Sequence, residues 1–144
     1  MAVGADGKIW FGTQWEGDAL ATPSLVGCAS LEHGLRLVET PPSALNAMRR
    51  YVGAMAASRD GTLICASAPR GGLIAYWSAE TGRYLGRTDI VDSSGVTGFG
   101  EKTVLASNGE GLIVEAGTDS ATKSVSRPDV AFDNHLRVVG GPGA

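Results

Sequence analysis

Hydrophobic and polar positions alternate in short runs along this chain, and polar turns carrying glycine separate the runs. The pattern is clearest between Arg59 and Thr88. Asp60-Gly61 is a tight-turn pair, Thr62 to Ser67 a β-rich run, and Pro69-Arg70-Gly71-Gly72 a break. Leu73 to Ser78 is a second run, Glu80-Thr81-Gly82 a second break, and Arg83 to Thr88 a third run. Period-two runs bounded by such turns predict antiparallel strands. Tyr51 to Ser58 precedes them as a run of small residues suited to a crowded axis, so residues 51–90 predict a complete four-stranded meander.

The rest of the chain reads as weaker copies. Lys8 to Trp15 places Ile9, Phe11 and Thr13 on one face and Trp10, Gly12 and Gln14 on the other. Strands follow at Ser24 to Ser30 and Leu35 to Thr40, so residues 1–40 predict a sheet lacking its first strand. Pro41-Pro42 stops the sheet. Ser43 to Arg50 can form a short helix, with Arg49 and Arg50 at the C-terminal end of its dipole. Gly95 to Gly100, Thr103 to Ser107, Leu112 to Ala116 and Lys123 to Ser126 predict a second full meander over 95–127. Phe132 to Val139 predicts the first strand of a further one.

KIWFGTQWEG, TLICASAPRGG and TVLASNGEG occupy equivalent places, and Thr62 and Thr103 are 41 positions apart. That spacing suits a propeller blade of ~40–45 residues. Lys8 and Thr62 are 54 apart, the excess being the loop at Glu16 to Pro23 and the helix. A β-sandwich also has short strands and turns, but it does not predict a repeated order of small inner, stronger middle and polar outer strands. The expected fold is all-β: a single-domain segment of a β-propeller with about two complete four-stranded blades, parts of two others, and one short helix between blades. Two exposed sheet edges would then invite self-association or pairing with missing N-terminal blades.

Composition narrows the function. Glycine is 21 of 144 residues, an excess that fits many tight turns. A net charge of −3 with no basic stripe argues against nucleic acid. No apolar run is long enough to predict a membrane span, and MAVGADGKIWFG has neither the basic nor the apolar region of a signal peptide. Cys28 and Cys65 lie in apolar runs and predict buried free thiols; a bridge between them requires an oxidising compartment. They do not make a zinc site. No GxSxG, Cys-His or Walker pattern is present, and no motif asks for a cofactor.

The combination of WFGTQWEG (Trp10 to Gly17), RRYVGAMAASRDGTLICASAPRGG (Arg49 to Gly72), WSAETGRYLG (Trp77 to Gly86) and FDNHL (Phe132 to Leu136) resembles the C-terminal part of the bacterial family catalogued as domain of unknown function 1513. The resemblance runs from about Asp6 to Val139. It implies a β-propeller whose family members are longer than this chain, a periplasmic home through a twin-arginine export signal, and a neighbourhood of iron-uptake genes. This chain departs from the pattern by lacking the N-terminal half with its export signal, and by having Phe132 where the pattern has Trp.

Propeller geometry sorts the polar residues. If strands run A to D outward, the B–C turns and the D–A connections share one face. Gln14, Trp15, Glu16, Arg70, Asn108 and Glu110 fall in B–C turns; Tyr51, Asp92, Asp133, Asn134 and His135 fall at D–A connections or A-strand starts. That face is the expected ligand- or partner-binding face. Arg70 suits a carboxylate or phosphate, or a salt bridge to Glu16 or Glu110. Gln14 and Asn108 suit turn stabilisation, and Trp15 suits either packing or a ligand platform. Asp133-Asn134-His135 suits hydrogen bonds that pin a strand, or a metal. The expected function is non-catalytic binding of a small ligand or protein. Its rival is a metal-assisted hydrolase using Asp133, His135 and Glu110.

Overall fold

The computed structural model describes residues 1–18, 20–119, 123–127, 129–137 and 139. The strands are β1 (Ala2–Val3), β2 (Ile9–Gly12), β3 (Val26–Ser30) and β4 (Gly34–Leu37), then β5 (Ala54–Ala57), β6 (Leu63–Ala68), β7 (Leu73–Ser78) and β8 (Tyr84–Asp89), then β9 (Ser93–Gly98), β10 (Val104–Asn108), β11 (Leu112–Ala116) and β12 (Lys123–Ser126). They form three antiparallel four-stranded sheets, each in chain order. The helix α1 (Pro42–Ala47) joins the first sheet to the middle one.

Period-two alternation in the middle sheet builds two cores at once. On β6, Ile64, Ala66 and Ala68 face the first sheet, while Leu63 and Cys65 face the last. On β7, Leu73, Ala75 and Trp77 join the first core and Ile74 and Tyr76 the second. Every residue of β6 is therefore buried. The outermost strands β4 and β12 are exposed along their whole length. The two cysteines fall in different cores and are both free thiols. Burial pushes the Cys65 thiol far up, against a hydrogen bond to the Ala56 carbonyl.

Sheets approach most closely at their inner strands, β1 to β5 and β5 to β9. Small residues make this possible. A Cβ on Gly98 would sit 2.3 Å from the Ala57 carbonyl oxygen, inside any real contact distance. Polar bonds then tie sheet to sheet: Ser67 Oγ donates to the Ser94 carbonyl at 2.7 Å, and Ser93 Oγ to the Leu73 carbonyl at 2.8 Å. Trp77 Nε1 donates to Thr40 Oγ1 at 3.2 Å.

Three expectations change. The first sheet is complete, because Ala2 and Val3 pair with Trp10 and Ile9; two residues before a glycine turn show no alternation, which hid the strand. The chain therefore has three four-stranded sheets rather than two blades and two partial ones. The helix ends at Ala47, so Arg49 and Arg50 lie beyond it, both with left-handed backbone (φ 49° and 60°). The left-handed backbone at Arg49 ends the helical run, just after the fully buried Met48. Finally, residues 132–137 form no strand, although Phe132, Asn134 and Leu136 are half-buried between exposed neighbours in an extended rhythm. No strand within the described residues pairs with them; Val138, within the stretch expected to be a strand, lies outside the described residues.

The turn before β6 has a titrating lock. Asp60 accepts from Ser58 Oγ at 2.6 Å, the Thr62 amide at 3.0 Å and Thr62 Oγ1 at 2.8 Å. Burial pushes its carboxyl up, but these bonds and the Lys102 charge together hold it below the usual value. A depressed folded-state value gives stability that is fully present above the unfolded-chain value and lost as pH falls through the folded one. Urea midpoints should therefore fall on acidification through the carboxylate range, and Asp60→Asn should show a shallower fall; an unchanged slope would remove Asp60 from the account.

Candidate functional site

The side chains expected at a binding face lie at two junctions between neighbouring sheets and in the 132–137 segment. At the boundary of the first and middle sheets, Gln14 forms an isolated antiparallel bridge with Tyr51. The Trp15 amide donates to the Arg50 carbonyl at 3.0 Å, and the Tyr51 amide to the Met48 carbonyl at 3.3 Å. These bonds hold the left-handed pair Arg49-Arg50 in a conformation costing roughly 1–2 kcal/mol per residue. Arg70, on the 3-10 turn Pro69–Gly71 between β6 and β7, lies with its guanidinium carbon 4.7 Å from the Tyr51 ring centroid.

Arg70 is exposed and makes no salt bridge to Glu16 or Glu110 among the described residues. Of the two expectations for Arg70, the salt bridge is not made; the turn carries Arg70 over the Tyr51 ring, ahead of β5. Glu16 instead accepts from Gln14 Nε2 at 3.2 Å. Trp15 is half-buried, packs against the first core and donates from Nε1 to the Asp18 carbonyl at 3.0 Å, so its indole is fixed in the loop.

The second junction lies between the middle and last sheets. Asn108 is 2 % exposed. Its Oδ1 accepts from the Glu110 and Leu112 amides at 3.0 and 2.9 Å, its Nδ2 donates to the Val91 carbonyl at 3.0 Å, and its own carbonyl accepts from the Phe132 amide at 3.3 Å. Asn108 therefore locks the β10–β11 turn to the connection before β9 and to the 132–137 segment. Asp92 sits beside it in left-handed backbone (φ 52°), a conformation Asp tolerates. Glu110 is exposed at the turn tip.

Asp133 and His135 are exposed side chains, with His135 Nδ1 3.5 Å from Asp133 Oδ2. The Asn134 amide bond to Asp133 Oδ1, followed by the His135 contact, holds the Asp133 carboxyl below its usual value. Glu110 does not join them: among the described residues, no three His, Cys, Asp or Glu side chains gather where a metal could be held. Asp133 accepts from the next backbone amide, and the trio pins no strand, since residues 132–137 form none.

The turns between the first and second strands of the three sheets are tied to one another. The Ala5 amide donates to the Gly61 carbonyl at 2.8 Å and the Arg59 amide to the Gly100 carbonyl at 2.9 Å. Two open grooves, of about 710 and 630 Å³, lie elsewhere, between the outer strands of adjacent sheets. One runs from Arg36 to Pro42 and across to Thr81 and Tyr84; the other lies between Leu85 and Asp119. Sheets packed at their inner strands diverge outward, and these wedges follow from that divergence.

Sheets stacked in chain order through inner strands of small residues define a β-propeller segment. Solved WD40 propellers superpose on it. A chain in the crystal structure of a mitotic checkpoint complex matches with a TM-score of 0.62 and 13% identity, covering 90% of this chain and 37% of that one. The structure of U3-55K matches with a TM-score of 0.64 and 17% identity, covering 90% and 39%. The chain thus spans well under half the length of either. It belongs to the family described as a protein of unknown function, DUF1513, whose model matches residues 1–139. No curated protein matches. Among the described residues, no helix is long and apolar enough to cross a membrane.

Arg49 and Arg50 follow the helix instead of ending its dipole, and consecutive left-handed non-glycine residues leave no sequence signal. Asn108→Ala should cost about 2–4 kcal/mol, since it orphans two amides and a carbonyl. Chemical denaturation measures this, and a cost under about 1 kcal/mol would reduce Asn108 to an ordinary turn residue.

Proposed function

We propose that this chain is a non-catalytic binding segment of a propeller, and that its ligand is anionic and meets the Tyr51–Arg70 pair. The observation that carries this reading is the exposed guanidinium stacked on the Tyr51 ring with no carboxylate partner among the described residues. The guanidinium carbon lies 4.7 Å from the Tyr51 centroid, which holds the positive charge over the ring, and an exposed guanidinium without a carboxylate partner among the described residues suits bidentate binding of a carboxylate or phosphate. Arg49 and Arg50, which directly precede Tyr51 in the chain, add positive charge nearby. The Gln14 backbone pairs with Tyr51, and its side-chain amide donates to Glu16.

The chain corresponds, in this reading, to the C-terminal part of a longer propeller, and its home is the periplasm, as the resemblance of its motifs implies. The link to iron uptake has no support from a metal-ligand set among the described residues. Fractionation of cells carrying the native gene tests the location directly.

The binding test uses inorganic phosphate and citrate as probes, read by thermal unfolding and by calorimetry. Either anion should raise the melting temperature saturably, beyond chloride at equal ionic strength. Arg70→Ala should weaken the affinity about tenfold or more, and Tyr51→Phe should retain it because the stack survives. An equal response in Arg70→Ala, or no response to either anion, would overturn the reading.

A further inference from the structure

The larger wedge is walled on both sides by this chain's own sheets. One wall is β4 with the connection that runs on to α1; the other is the β7–β8 turn and the start of β8. Its volume of about 710 Å³ is that of a small-molecule site. Divergence of the sheets accounts for the opening and leaves the choice of side chains that line it to be explained.

Arg36 is the side chain that turns into the wedge. Its cross-strand partner on β3 is Cys28, a member of the first core, so Arg36 points toward the middle sheet while Leu35 and Leu37 take the other face. Arg36 Nε donates to the buried Cys28 Sγ at 3.2 Å. Its Nη2 reaches the opposite wall, 3.8 Å from where a Cβ on Gly82 would stand. The guanidinium is thus held across the gap between the two sheets. Arg83, next after Gly82, also lines the wedge. Neither arginine has a carboxylate within salt-bridge distance among the described residues, and Glu39, the acid that lines the same wedge, pairs with neither.

The rest of the lining is apolar and rigid. Tyr84 packs edge-on against the fully buried Trp77, with ring centroids 5.7 Å apart, and Trp77 Nε1 donates to the buried Thr40 hydroxyl. Pro41 and Pro42 bring apolar rings and no N–H. Two arginines without carboxylates, beside a tyrosine and two prolines, match a ligand with an anionic head and an apolar body. A bare inorganic anion would leave the apolar lining uncovered.

We propose that this wedge binds a small organic anion, a carboxylate or phosphate ester on a flat apolar body. Arg36 grips the acid group, Arg83 adds charge, and Tyr84, Pro41 and Pro42 cover the body. The site is separate from the Tyr51–Arg70 pair. Arg70 lies in the turn before β7 and Gly82 in the turn after it, so the two turns are at opposite ends of the strand, roughly 20 Å apart.

Calorimetry on the full chain tests this with naphthoate, naphthyl phosphate and the neutral naphthalene methanol. The better of the two anions should bind about tenfold or more tighter than the neutral compound, and which one it is assigns the acid group. Arg36→Gln should weaken that anion about tenfold and leave the neutral compound unchanged. Arg70→Ala should bind it as the wild type does. In NMR spectra of the wild type, which need no variant to fold, the Trp77 indole N–H and the Gly82 amide should shift on binding while the Trp15 indole stays in place. Equal binding of charged and neutral compounds, wild-type affinity in Arg36→Gln, or loss of affinity in Arg70→Ala would each overturn the proposal. So would shifts confined to Ile9 and Leu35, which face away from the middle sheet, or no binding of either anion.

Discussion

Burial of the middle sheet on both faces is the constraint from which the rest follows. A strand has two faces, and the chain fills both on β6 and β7 with apolar side chains. Ile64 and Trp77 serve one core while Ile74 and Tyr76 serve the other. Truncating Ile64 or Ile74 would cost about 2–5 kcal/mol each, well above what any single turn bond supplies. The two flanking sheets are therefore positioned by their packing on the middle one, and the turns and caps refine that placement. Tyr76 shows the depth of the second core: burial pushes its hydroxyl up to about 12, despite a 2.9 Å bond to Thr88 Oγ1.

Placement of the polar face is a consequence of this stacking. Sheets that run in chain order from an inner strand outward must put alternate turns on alternate faces. The inner strands meet most closely because glycine and alanine line them, so the connections before β5 and β9 crowd against the turns of the neighbouring sheets. Tyr51 reaches Arg70, and Asn108 reaches Val91 and Phe132, for that reason. The two contacts differ in kind. Asn108 spends every polar atom on backbone, whereas Arg70 is exposed and has no carboxylate partner among the described residues.

Much of the fold was legible in the sequence. Leu73–Ser78, Leu112–Ala116 and Lys123–Ser126 fall where turn residues bracket a β-rich run, and the structure gives the same limits. The sharing of one face by Gln14, Tyr51 and Arg70 followed from strand order alone. What did not follow depended on tertiary contact. The two-residue β1 has no period to read, and the helix stops short because Arg49 and Arg50 take left-handed backbone. Residues 132–137 carry a strand's rhythm without a strand's partner. Arg70 reads in sequence equally as a carboxylate or phosphate ligand and as a salt-bridge residue, and only the path of its turn directs it onto Tyr51.

Hydrogen–deuterium exchange resolved by residue tests the central claim most directly. If the middle sheet is the keystone, the amides of β6 and β7 exchange slowest, at the rate of global unfolding, while those of β4 and β12 exchange by local opening orders of magnitude faster. Equal protection across the three sheets, or a first or last sheet that outlasts the middle one, would contradict it.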